Sequence, residues 1–306
     1  MEAKEVKEVK IEDKKEKVLS PWRIVWNRLR KNKLAMAGLI ILAIMIIMSF
    51  IGPFLSSYKI DTMDYALGNK PPSSAHWLGT DQLGRDILLR VMLAGRISLL
   101  VGIISVAIEV LIGAVLGVVS GYYGGIIDSI IMRFVDVMLC VPFTPMLVVL
   151  GAMLSEWHVP PKYRVFLVML IIGIMSWPSL CRLVRGQILT LREQEYMQAA
   201  EALGLRDSRK MFKHLLPNTV PIIIVSATLG IGGAILTESF LSYLSLGVVP
   251  PTPSWGNMIQ IVNDLYTLQF RPWLWIPPGL CIFLTIMAIN LFGDGLRDAL
   301  DPKLKK

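Results

Sequence analysis

The sequence predicts an all-α membrane protein with six transmembrane helices, and three observations carry that prediction. Hydrophobic residues make up 54% of the 306, and the mean hydropathy is +0.58, well above an ordinary soluble domain. Six apolar runs approach or exceed the roughly 20 residues that cross a bilayer core. Apart from Glu109 and Glu238, charge is confined to the segments between them. The pI near 9.4 and net charge of +8 would also fit nucleic acid. The basic residues stand beside the spans, however, which reads as membrane topology and not as DNA binding.

Residues 2–18 alternate six acidic residues with six lysines. Such a charge-balanced run has little to bury and reads as a solvated tail over 1–20. No apolar core follows at signal-peptide distance. Ser20 and Pro21 look like an N-cap with proline at the first helical position. Trp22, Val25, Trp26 and Leu29 then recur at i, i+3, i+4, i+7, beside Arg23, Arg28, Arg30, Lys31 and Lys33. That pattern predicts a short interfacial helix over 21–33, lying on an anionic leaflet.

The six spans are expected at 34–55, 97–120, 137–155, 165–181, 220–244 and 275–292, the fourth continuing as helix beyond the membrane. With the N-terminus inside, the inner segments hold 23 Lys and Arg residues and the outer segments 8. That bias places both termini and the segment 183–217 in the cytoplasm.

The polar segment 193–218 has its own grammar. Residues 196–203 are good helix formers, and Gly204 interrupts them. Asp207 or Ser208 is placed to cap a second helix, with Met211, Phe212, Leu215 and Leu216 on one face. Pro217 marks the next element. Two short helices hinged at a glycine, with an apolar face, form a plug for another protein's groove. On this reading Ala200 packs against the partner, while Arg209 and Lys210 lie on the more exposed side.

This segment resembles the cytoplasmic docking loop of ATP-binding cassette importer permeases: EAA, three residues, Gly, nine residues, then I-x-L-P. Here it reads Gln198-Ala199-Ala200, Gly204, then His214-Leu215-Leu216-Pro217, with every spacing kept. Gln198 stands where the pattern has Glu, and His214 where it has Ile. Leu205 and Phe212 complete the expected docking surface.

The first outer loop carries His76-Trp77-Leu78-Gly79-Thr80-Asp81-Gln82-Leu83-Gly84-Arg85-Asp86. It resembles a signature of the second permease subunit of dipeptide and oligopeptide importers. Asp81 and Arg85 are spaced for a local ion pair, and Gly79 and Gly84 for tight turns. Asp81, Arg85 and Asp86 are candidate contacts for a substrate-binding protein. Plain structural capping is the equally weighted alternative. The proline-rich 247–256 and the terminal 293–302 resemble the same family.

Glycines 113, 117, 121 and 125 form overlapping GxxxG steps, which favour a close helix seam within the subunit or with a partner. Gly230, Gly232 and Gly233 read as packing in the same way. No GK[ST] follows any glycine cluster, so no nucleotide site is expected. Glu109, Asp136 and Glu238 are the acidic residues nearest the spans, and Asp128 and Asp136 are expected near Arg133. Glu238, between Thr237 and Ser239, lines a solute path on one reading and ties helices together on the other. Trp255, Trp273 and Trp275 suit an interfacial belt. Cys140, Cys181 and Cys281 read as small buried hydrophobes, and His76, His158 and His214 are too scattered for a metal. No grouping points to covalent catalysis.

The resemblance spans about residues 22–303 and implies the fold of a type I importer permease. The implied layout is the tail 1–20, the interfacial helix 21–33, the first transmembrane helix and outer loop 34–96, the permease core 97–301 and a tail 302–306. It further implies a second permease subunit, two ATPase subunits that bind the ATP and Mg, and an extracytoplasmic solute-binding protein. The implied location is the bacterial plasma membrane and the implied cargo a dipeptide or oligopeptide. A permease for nickel, sugars or another small solute is the nearest alternative. A non-transporting scaffold or sensor is another, and the lack of a visible inverted repeat argues against a secondary transporter.

Overall fold

The computed structural model describes residues 21–59 and 62–300. The charged tail expected over 1–20, the Ser20 cap and the tail over 302–306 lie outside those residues. Among the described residues there are helices and one isolated bridge between Thr80 and Asp86. Helix α1 (Pro21–Lys31) leads into α2 (Lys33–Phe50) and the short α3 (Gly52–Leu55). Asn32 caps α2 by accepting from the amides of Leu34 and Ala35 at 3.1 and 3.2 Å. Leu29 and Val25 of α1 pack against Ala35, Phe292 and Ala299, docking it on the C-terminal helix.

The centre of the molecule is α4 (Ile87–Tyr123), 37 residues and about 55 Å at 1.5 Å per residue. It is longer than a bilayer core is thick, so it projects beyond the membrane. Asp86 starts it by accepting from the Leu89 amide at 2.8 Å, ten residues before the span expected from hydropathy. The division drawn at 96/97 therefore cuts through one continuous helix. The first span also belongs to the core: Met45 packs with Ile235, Ile282 and Ile289 in one cluster.

Next come α5 (Gly125–Cys140) and α6 (Phe143–Glu156), bent by 81°. The span expected at 137–155 is thus broken after Cys140. Pro142 lacks an amide hydrogen and drives Val141 to an extended conformation (φ −78, ψ 125), which ends α5. Cys140 at that break is exposed, not buried as expected. Helix α7 (Pro161–Leu191) then continues as helix past the expected span to Leu191, as anticipated.

Helix α8 (Glu195–Ala202) is followed by α9 (Asp207–Arg209), a π-helical turn at Lys210–Leu215 and α10 (Leu216–Tyr243). The last three form one unbroken helix, Asp207–Tyr243. The short α11 (Trp255–Ile259) and α12 (Leu265–Phe270) follow, and α13 (Ile276–Leu300) is the last described helix. Among the described residues, five helices are long and apolar enough to span a membrane, or six if the bent pair counts as one span.

Helix α4 packs chiefly on α7 and then on α10, while α13 packs on α2 and α10. The GxxxG seam explains the first contact. A Cβ added at Gly117 would stand 2.7 Å from the Cys181 carbonyl oxygen, and one at Gly121 would stand 2.8 Å from Ile188 Cβ. The seam is therefore internal. Gly125 takes no part in it; it sits in the break between α4 and α5, with φ +51.

Candidate functional site

The hinge of the inner segment is Gly204. Helix α8 ends there because the Gly204 amide donates to the Glu201 carbonyl at 2.9 Å and the Leu205 amide to Ala200 at 3.2 Å. This is the paired closing pattern of a Schellman cap, and its φ of +67 favours glycine. Space around Gly204 is open: an added Cβ would meet nothing within 4 Å. The glycine is needed for backbone shape and not for clearance.

The segment is not two free helices. Its second half is the start of the 207–243 helix, entered through the π turn, so Pro217 lies inside a continuing helix. Arg206, not Asp207 or Ser208, occupies the N-cap position. The apolar face divides accordingly. Met197, Met211 and Leu215 are buried with Val118, Val184 and Ile188 of the chain's own core, and Leu216 packs against the same cluster. Ala200 is buried too, so it packs inward and offers nothing to a partner. What faces outward is Tyr196, Leu203 (79% exposed) and Phe212 (43%), beside exposed Gln198, Ala199 and Pro217. Leu203, the most exposed of them, escaped the sequence reading because it stands in no quoted motif position.

A polar clamp ties this hinge to the C-terminal end of α4. Tyr122 donates its hydroxyl to Asp207 Oδ1 at 2.6 Å. The Lys210 ammonium stands 3.0 Å from the same oxygen and 5.4 Å from the Tyr122 ring centroid. Lys210 is only 8% exposed, which corrects its expected place on the outer side of the helix. Arg192 of the hinge's first arm donates to the carbonyls of Gly121 and Tyr122 at 3.2 and 3.3 Å. A cation there also opposes the negative end of the α4 dipole. Asp128 of α5 accepts two bonds of 2.6 Å from Arg185 of α7 and one from Ser120 of α4. Asp136 pairs with Arg182 at 2.6 Å. Both acids thus bind α7 across the helix gap, and Arg133 is the partner of neither.

At the other end, Asp81 closes the loop before α4. It accepts from the Leu83 and Arg85 amides at 2.9 and 3.0 Å and from Arg85 Nε at 2.7 Å, with Arg90 Nε at 3.5 Å. Asp86 meets His76 Nδ1 at 2.9 Å, and the imidazole stacks on Tyr58. Asp81 and Asp86 are buried, so their charges are spent within the loop. Arg85 is half-buried and lines a cavity of about 300 Å³ with Arg90, Arg96 and Pro251.

Compared with known proteins, residues 113–306 match the family described as the binding-protein-dependent transport system inner membrane component. Residues 20–72 match the N-terminal transmembrane domain of oligopeptide transport permease C. The chain belongs to this permease family. Among its relatives, the oligopeptide transport system permease protein OppC of Bacillus subtilis is 43% identical over 291 residues, covering 95% of this chain and 92% of the relative. The dipeptide transport system permease protein DppC of the same organism is 42% identical over 289 residues, covering 94% and 88%. The glutathione transport system permease protein GsiD of Pectobacterium atrosepticum is 40% identical over 289 residues, covering 94% and 93%. The permease is thus a multi-pass membrane component of a transport system and not a catalyst.

Within the permease, Glu238 is fully enclosed at 0% exposure. Its carboxylate accepts from Ser98 of α4 at 3.0 Å and from Ser242 at 2.6 Å. Ser98 Oγ in turn accepts from the Trp255 amide at 3.2 Å, and Ser242 Oγ from the Val248 amide at 2.8 Å. Glu238 therefore knots α4, α10 and the 248–255 segment together and reaches no surface in this conformation. Trp255 is buried and donates Nε1 to the Val91 carbonyl at 3.0 Å. It is a core residue, not a member of an interfacial belt.

Proposed function

We propose that this permease is one of two transmembrane subunits of an ATP-driven importer of dipeptides and oligopeptides. An extracytoplasmic binding protein delivers the peptide, and two separate ATPase subunits bind ATP and Mg and grip the 195–217 hinge. Both termini and the hinge face the cytoplasm, while 62–86 and 247–272 face outward. The family and the names of its relatives support the cargo. The observation that carries the coupling is the hinge itself: an exposed apolar edge, Leu203 and Phe212, on a base bonded to α4 through Tyr122 and Lys210.

That arrangement supplies a mechanism. A groove that seats Leu203 and Phe212 holds the hinge by burial of apolar surface. When nucleotide draws the two ATPases together, the hinge is displaced. Because the 207–243 helix is unbroken, and Arg192, Asp207 and Lys210 hold the end of α4, the inner ends of α4, α7 and α10 move with it. The path opens outward, and hydrolysis resets it. The test is peptide uptake and ATP hydrolysis by the complete complex in proteoliposomes. Wild type takes up radiolabelled trialanine when supplied with its binding protein, and Leu203→Asp loses bound ATPase while the permease pair stays intact. Uptake of a metal or sugar in place of peptide, or undisturbed ATPase binding in the variant, defeats the reading.

A further inference from the structure

Glu109 stands at the centre of the apolar stretch 97–120, and nothing in the clamp, the outer loop or the Glu238 knot uses it. It lies on the packed arc of α4. One turn before it, Ser105 donates to the Met169 carbonyl of α7 at 2.9 Å. One turn after it, Gly113 is pressed against Trp177 and Leu180 of α7. The carboxylate accordingly points between α7 and α10, not outward to lipid. A Cβ built on Gly230 of α10 would stand 3.6 Å from Glu109 Oε2.

Glu109 is half-buried, yet among the described residues it has neither a hydrogen bond nor an ion pair. Of the other acids described above, Glu238 is engaged by serines, and Asp128 and Asp136 by arginines. An unpaired carboxylate at this depth is costly and marks a solute path or a partner. No Lys or Arg occurs in 97–132, 165–181 or 214–270, so this chain supplies no cation at that level. The α10 wall beside it is bare. Gly230 offers no side chain, and an added Cβ at Gly233 would meet nothing within 4 Å. Among the described residues, no donor of α10 reaches the acid.

We propose that Glu109 is a cation subsite on the solute path, where its carboxylate receives the α-ammonium of a peptide in transit. The inference rests on the peptide-import reading above. Every unblocked peptide carries that ammonium, so the subsite is indifferent to side chains. It acts by attraction at the one depth where the chain otherwise offers only apolar surface.

The experiment uses the complete complex in proteoliposomes, with wild type, Glu109→Gln and Glu109→Asp. Two labelled solutes are compared: trialanine, and propionyl-dialanine, which has the same outline without the ammonium. Glu109→Gln is expected to lower the trialanine-to-analogue uptake ratio by about tenfold or more, with all subunits still co-purifying. Glu109→Asp keeps a ratio nearer wild type. An unchanged ratio in Glu109→Gln, including an equal fall for both solutes, overturns the proposal. So does failed assembly of the two permease subunits, which assigns the acid to a subunit contact. A wild-type complex that takes up no peptide at all sinks the import reading, and the subsite with it.

Discussion

Tyr122 and Asp207, 85 positions apart in sequence, meet through a 2.6 Å hydrogen bond. One is the penultimate residue of α4 and the other the first residue of the helix that continues as α10. Lys210 closes the group from one side, while the Asp207 carboxylate keeps an exposed face. The contact makes the docking hinge an extension of two spans and not a loop hanging between them.

That relationship predicts how the hinge fails. Tyr122→Phe and Lys210→Met should leave ATPase binding intact, because neither residue is on the exposed edge. Peptide taken up per ATP hydrolysed should fall by about fivefold or more, the range of a 1–3 kcal/mol coupling. Arg209→Ala, an exposed neighbour, should change the ratio little. Unchanged coupling in both clamp variants would show that the contact transmits nothing.

Gly204 separates shape from bulk. Space is open there but φ is +67, so Gly204→Val pays about 1–2 kcal/mol of backbone strain without a clash. Gly204→Asn adopts the same conformation more readily. Retention of the ATPases on the purified permease pair should therefore rank wild type, then Asn, then Val. Equal loss for Asn and Val would mean that the partner needs a bare backbone, and the cap argument fails.

Glu238 should matter for stability. Glu238→Gln keeps an acceptor for Ser98 or Ser242 and should lower the thermal midpoint slightly. Glu238→Leu strands both hydroxyls in a dry interior, at about 1–3 kcal/mol for each unsatisfied group. Thermal unfolding of the purified subunit pair in nanodiscs checks the order. If Glu238→Leu is as stable as wild type, the knot is not structural.

The topology is testable in whole cells. In a Cys140→Ser background, cysteines at Ser74 and Gln269, both exposed on outer segments, should react with an impermeant thiol reagent. A cysteine at Ser208 should react only after the membrane is opened. Labelling in the opposite order reverses the assigned orientation.

Much of this was legible in the chain. The spans follow from hydropathy, which is local: about 20 apolar residues in a row have few other places to go. Gly204 was legible because a helix stop needing positive φ is likewise a local demand. The Asp81–Arg85 pair was legible because both residues lie in one turn. The sequence also placed Gly113, Gly117 and Gly121 at a helix seam, though not which helix filled it.

Other features had no local signal. The bend at Pro142 was lost inside an apolar stretch that scans as one span. Lys210 reads as an exposed helix cation until Tyr122 and Asp207 are brought to it. Trp255 reads as a membrane-belt residue until Val91 and Ser98, more than 150 positions earlier, receive its two donors. The class, the spans and the hinge glycine were determined by the sequence alone, because hydropathy and backbone preference act over one helix at a time. The tertiary structure decided which charges are spent and which, like Glu109, are left over. A polar group's partner is set by which helices pack together, and that is a property of the whole chain.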